Sequence, residues 1–195
     1  MTTTCTPGDA AVNRPSRRSF VRLGLAAAGA ALVPGAAFAA PAAAPRERAL
    51  SFFNTHTGER LRVTYCCDGR YRPEALRQIN HILRDFRLGE VKEMDVNLLD
   101  LLSDLSLRLG SDEPFHVISG YRSPRTNAML RARGGAVTGV AGGSLHMVGK
   151  AIDIRVPGVK LDRLRAAALS LKRGGVGYYP DSDFVHVDTG RVRFW

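Results

Sequence analysis

The sequence predicts an α+β domain: a small, largely antiparallel sheet flanked by helices. Three observations carry the fold. Short alternating apolar runs recur at residues 50–54, 60–65, 115–119, 151–156, 176–179 and 184–187. Between them lie segments with helical apolar spacing and clear start signals. Finally, 195 residues with 45% hydrophobic and 24% charged content and 3 cysteines suit one packed domain plus an appendage. A disulfide scaffold, a disordered chain and a multi-spanning membrane protein are all poor fits.

The appendage comes first. Ser16-Arg17-Arg18-Ser19-Phe20-Val21-Arg22 reads as a twin-arginine export signal, followed by an Ala- and Gly-rich apolar stretch over 23–38. Ala37-Phe38-Ala39 offers small residues at both positions a signal peptidase reads, which predicts cleavage after Ala39. The stretch is short, is broken by Pro34-Gly35 and carries more Ala than Leu, so no stable membrane span is expected after cleavage. Residues 40–48, with Pro41 and Pro45, read as a linker and 49–195 as the domain. The mature protein is expected in the periplasm or otherwise exported. Cys5 precedes the apolar stretch and is not placed for lipidation.

Within the domain, the runs at 50–54 and 60–65 flank Thr55-His56-Thr57-Gly58 and predict a hairpin. Cys66 and Cys67 extend the second run. Adjacent side chains diverge on a strand, so they read as small buried thiols and not as a redox or metal pair. Pro73 opens a helix whose apolar face is Leu76, Ile79, Ile82 and Leu83. Asp95 caps a second helix carrying Leu98, Leu99, Leu101, Leu102 and Leu105, and Gly110 ends it. Ser123-Pro124 caps a short third helix after the 115–119 strand, and 134–143, with five glycines, reads as a mobile loop. A fourth helix covers 161–172.

Three side chains carry the candidate chemistry. Gly149 permits a tight approach between His146 and the strand that follows. On that strand Ile152 and Ile154 face the core, so Asp153 faces the opposite side. Val185 and Val187 likewise turn His186 and Asp188 away from the core. Two imidazoles and a carboxylate supply three ligands to one tetrahedral zinc ion and leave a position open for water acidified towards neutral pH. His116 alternates away from Val117 and either lines the cleft or sits at its edge. His56 and His81 read as structural or exposed, and Tyr121, Tyr178 and Tyr179 as core or peptide-holding groups.

Taken in order, Ser119-Gly120-Tyr121-Arg122-Ser123, Ser144-x-His146-x-x-Gly149-x-Ala151-x-Asp153 and Phe184-Val185-His186-Val187-Asp188 resemble the signature of the zinc D-Ala-D-Ala peptidases, a peptidase M15-like superfamily. Within it the chain is most similar to the murein endopeptidase K group, from about Leu50 to Trp195. The resemblance implies zinc held by His146, Asp153 and His186, with Arg122 near the scissile carbonyl or a substrate carboxylate. Physically, a fixed guanidinium neutralises the oxyanion that develops at an attacked amide. Ser119 and Ser123 shape the turn and lack any motif of an activated nucleophile. Many relatives place a Glu base three residues before the last ligand. Here that residue is Asp183, a methylene shorter and out of phase with His186, while Asp188 is the alternative base or a partner that orients His186.

The implied activity is hydrolysis of peptide cross-links in peptidoglycan. A D-Ala-D-Ala carboxypeptidase and a non-catalytic, zinc-dependent wall-binding module are the alternatives. Lys and Arg number 28 against 18 Asp and Glu, and most of that excess lies beyond residue 39. Such charge suits the acidic peptide stems of the wall. It does not point to nucleic acid, since no cysteine set or aromatic-basic recognition motif accompanies it.

Overall fold

The alternating runs all join one sheet. The computed structural model describes residues 47–134 and 141–195. The export segment, Cys5, the linker up to residue 46 and the centre of the glycine-rich loop lie outside the described residues. Strands β1 (Glu47–Asn54) and β2 (Arg60–Cys67) form the expected antiparallel hairpin, with Phe52 opposite Leu61. A two-residue strand β3 (Arg70–Tyr71) follows. Next come helices α1 (Pro73–Ile82) and α2 (Val96–Leu109), strand β4 (Phe115–Ser119) and helix α3 (Pro124–Gly134). Strand β5 (Ala151–Arg155), helix α4 (Leu161–Leu171) and strands β6 (Gly175–Tyr179), β7 (Phe184–Asp188) and β8 (Arg193–Phe194) complete the domain. The order across the sheet is β3-β2-β1-β4-β5-β7-β6-β8, with only β1–β4 and β6–β8 parallel.

The boundaries follow from local chemistry. Asp95 caps α2 by accepting the Asn97 N–H at 3.0 Å, and Gly110 closes it in the left-handed conformation at φ 60°. Ser123 accepts the Thr126 N–H at 3.2 Å and so starts α3. One boundary differs from expectation: Glu47 and Arg48 already belong to β1 and not to the linker drawn at 40–48. Cys66 is a buried free thiol and Cys67, beside it at the end of β2, is half-buried.

The core joins Leu98, Leu99, Leu102 and Leu105 of α2 to Ile152, Ile154, Val185 and Val187, all essentially inaccessible. Ile152 and Ile154 thus fix which face of β5 is turned away from the core, as alternation predicts. At the other end of the sheet Arg48 explains its own place in β1. Buried Asp100 of α2 accepts from the Tyr65 hydroxyl at 2.8 Å and the Tyr71 hydroxyl at 2.7 Å, and pairs with Arg48 at 2.7 Å. One carboxylate therefore ties α2 to β1, β2 and β3. Asp100→Ala is expected to destabilise the domain by about 3–4 kcal/mol, because it orphans a buried hydroxyl and a guanidinium. A urea midpoint equal to wild type would contradict this. No helix among the described residues is long and apolar enough to cross a membrane.

Candidate metal centre

His146 lies in a 3-10 turn, Leu145–Val148, that ends at Gly149 with φ 70°. A side chain at Gly149 would be strained, and its Cβ would also meet the Glu93 carbonyl oxygen. The turn is tied down from outside: the Asp95 N–H donates to the Gly149 carbonyl at 2.9 Å, and Thr189 donates to the Asp95 carboxylate at 2.8 Å. The start of α2, which carried no chemistry in the sequence, thus braces both ligand-bearing segments.

Across the sheet, Asp153 of β5 pairs with His186 of β7. The three candidate ligands converge. Asp153 Oδ1 lies 2.8 Å from His186 Nδ1 and 3.3 Å from His146 Nε2, and the two nitrogens are 3.2 Å apart. All three residues are buried.

The outer nitrogens fix the tautomers. His146 Nδ1 lies 2.7 Å from the Gly120 carbonyl, which only accepts, so this nitrogen carries the proton and Nε2 holds a lone pair. His186 Nε2 lies 3.0 Å from Asp188 Oδ2, so its Nδ1 faces inward with a lone pair when the ring is neutral. Three lone-pair atoms therefore meet at one point, which is repulsive unless a cation or a proton stands among them. Ligands on a tetrahedral zinc ion at ~2.0–2.1 Å lie about 3.3 Å apart, close to the spacing found. The donor set fits a divalent metal.

The electrostatics agree. Burial alone would raise Asp153, but the His146 and His186 imidazoles hold it well below the usual carboxylate range. For His186 burial opposes the charged form, yet the hydrogen bonds to Asp153 and Asp188 outweigh it and push the imidazole up to about 9.

Asp188 is wholly inaccessible. Oδ1 accepts from the Gly175 N–H (3.0 Å), the Gly190 N–H (2.8 Å) and Arg193 Nη1 (3.1 Å), while Oδ2 accepts from His186 Nε2 and from Arg193 Nη2 (2.7 Å). Its lone pairs are thus all occupied, one of them by His186, whose ring it orients. A Cβ at Gly175 would overlap both the Asp188 carboxylate and the Arg193 guanidinium, which explains glycine there. Asp183, expected as general base, is elsewhere. It closes the Pro180–Ser182 turn at φ 52°, is exposed, and pairs with Arg155 at 2.8 Å. It is not among the residues lining the cleft.

That cleft has a volume of about 350 Å³. Arg122 lines it with Nη2 on Ser144 Oγ at 2.9 Å, while its buried Nε has no hydrogen-bond partner. Burial lowers the Arg122 guanidinium from its ordinary value; Asp153 opposes this and nearby Arg87 adds to it. His116 does not line the cleft and packs on Phe53 at 4.8 Å. His56, read as structural or exposed, does line it: its ring stacks on Phe86 at 4.0 Å and its Nε2 bonds the Ile118 carbonyl at 3.0 Å. Tyr121 is core, and Tyr178 packs against the core beneath Arg165. Arg87, Tyr179, Arg193 and Trp195 also line the cleft. Of these, Tyr179 was singled out in the sequence as a core or peptide-holding group, Arg193 and Trp195 belong to the terminal segment covered by the resemblance, and no motif marks Arg87.

Comparison with known proteins agrees with this geometry. A family model described as peptidoglycan L,D-endopeptidase MepK, of the peptidase M15 type, matches residues 42–195. The peptidoglycan L,D-endopeptidase MepK of Escherichia coli is 46% identical over 181 residues, spanning 92% of this chain and 97% of that protein. A relative in Haemophilus influenzae, a probable peptidoglycan L,D-endopeptidase MepK, is 41% identical over 181 residues, 92% of this chain and 95% of its own.

Proposed function

Because the chain belongs to the peptidoglycan L,D-endopeptidase MepK family, we propose that it is an exported zinc peptidase that hydrolyses L,D peptide bonds in the cross-linked peptide stems of peptidoglycan. The observation that carries the metal assignment is the meeting of three inward lone pairs, on His146, Asp153 and His186, whose outer atoms are already committed. Those residues would hold one zinc ion, which when bound acidifies a water molecule enough to attack an amide near neutral pH.

The chain's own residues do the remaining work. Asp188 keeps the His186 ring in one tautomer and one orientation, and the Gly120 carbonyl does the same for His146. Arg122 lines the cleft and is steadied through Ser144, so its guanidinium is a preorganised donor for the oxyanion of the attacked carbonyl. Asp188 is assigned to positioning and not to proton transfer, since its lone pairs are occupied. Asp183, held by Arg155 outside the cleft wall, is not assigned the base.

The substrate lies outside the cytoplasmic membrane, which supports reading residues 1–39 as a twin-arginine signal and 40–46 as the linker to a periplasmic domain. Incubation of the mature protein with purified cross-linked muropeptides, followed by mass spectrometry, tests the reading. Dimers are expected to become monomers cut at an L,D bond. Activity should vanish with chelator and return with zinc. Loss of a single terminal alanine would instead identify a carboxypeptidase, and dimers untouched under every metal condition would sink the proposal.

A further inference from the structure

The last residue of the chain forms part of the cleft. Trp195 is the sole tryptophan. Its main chain pairs with β6, donating to the Val176 carbonyl at 3.2 Å and accepting the Tyr178 N–H at 3.1 Å. Its ring lies against Gly177, where a Cβ would come within 2.8 Å of Cε2 and Cζ2, so only glycine admits the ring there. The indole N–H donates to the Tyr179 hydroxyl at 2.7 Å, and the Tyr179 ring stacks on Phe184 with centroids 4.6 Å apart. Arg193, the residue that clamps Asp188, sits 4.9 Å from the indole, and the His186 ring is 5.4 Å away. Despite these restraints 46% of Trp195 remains exposed.

A large apolar ring fixed on several sides here keeps nearly half of its surface open to water. It suits a surface made ready for a ligand, because a ring already immobilised loses no further entropy when something packs on it. The sheet order also gives the cleft two unlike sides. Arg122, which follows β4, stands on one side of the β5–β7 pair, and Tyr179 and Trp195 stand on the other, with β6 and β8, where the charge of Arg193 is paired with Asp188.

We propose that Trp195 and Tyr179 form a specificity ledge for the aliphatic side chain of the stem-peptide residue beside the scissile bond, facing the cationic side that carries Arg122. The ledge rests on the endopeptidase reading and names the part of the substrate recognised.

Steady-state kinetics on a purified muropeptide dimer test it. Trp195→Ala should raise KM about tenfold and leave kcat within about threefold, as expected when an anchoring tryptophan is truncated. Trp195→Phe retains an aromatic face and should recover most of the loss. Gly177→Ala leaves the tryptophan in place but pushes its ring away, and should raise KM as Trp195→Ala does. An unchanged KM in Trp195→Ala, or a fall confined to kcat, overturns the ledge. If the wild type cleaves no muropeptide, the endopeptidase reading fails and emission from the single tryptophan decides the ledge separately. A saturable blue shift on adding the same dimer supports it, and constant emission up to about 1 mM dimer, a concentration that already detects weak binding, overturns it.

Discussion

Asp153→Asn is expected to abolish zinc-dependent hydrolysis of muropeptide dimers, with kcat/KM falling roughly a thousandfold or more. The substitution keeps size and packing but removes the negative charge that two imidazoles draw well below the usual carboxylate range. A metal supplies several kcal/mol of charge stabilisation at the reacting centre, and each ~1.4 kcal/mol is a decade in rate. Zinc titration by calorimetry should show the matching loss of affinity. His146→Ala and His186→Ala should behave alike, since each deletes one of the three converging atoms. Wild-type turnover by the Asp153→Asn protein would place the ion, or the chemistry, somewhere else.

The second large effect belongs to Asp188, a residue without access to solvent or cleft. Asp188→Asn should weaken zinc binding about 10–100-fold, the usual consequence of removing a partner that orients a ligand histidine. It should also cost about 3–5 kcal/mol of stability, because Arg193 is left without its buried carboxylate.

The pH dependence of the metal-free protein separates these two roles. His186 rises from 6.5 when unfolded to about 9 when folded, burial being outweighed by the hydrogen bonds to Asp153 and Asp188. A folded value above the unfolded one means that the stabilisation is complete below 6.5 and is lost as pH rises through about 9. With Asp188 neutralised, one of the two supporting carboxylates is gone, so the pH-dependent stabilisation should be smaller and its loss complete at lower pH. Urea midpoints of both metal-free proteins between about pH 6 and 10 would show it. Superimposable profiles would mean that Asp188 does not govern the imidazole.

Two of the three candidate ligands were legible because strand alternation is a strictly local rule, whereas His146, in a turn, was marked by the motif that carries the resemblance. Ile152 and Ile154 on one face, and Val185 and Val187 on one face, force Asp153 and His186 onto the other whatever the rest of the chain does. The helix caps at Asp95 and Ser123 were legible for the same reason, as each bonds an amide two or three residues on. Asp183 shows where alternation stops working. Its left-handed backbone ends the turn before β7, and Arg155, two residues past Asp153, draws its carboxylate away.

By itself, then, the sequence determined the fold class, the longer strands and the helices, and the three candidate ligands with the faces of the two that lie on strands. Only the tertiary structure decided what surrounds those ligands. The carbonyl of Gly120 behind His146, the burial of Asp188 under Arg193, His56 stacked on Phe86 at the cleft and Trp195 lying on Gly177 all depend on which strands become neighbours. Side-chain alternation is set by backbone geometry over a few residues. Strand order and the parallel seating of β8 beside β6 are set by how the whole core packs. No window of local sequence contains that information.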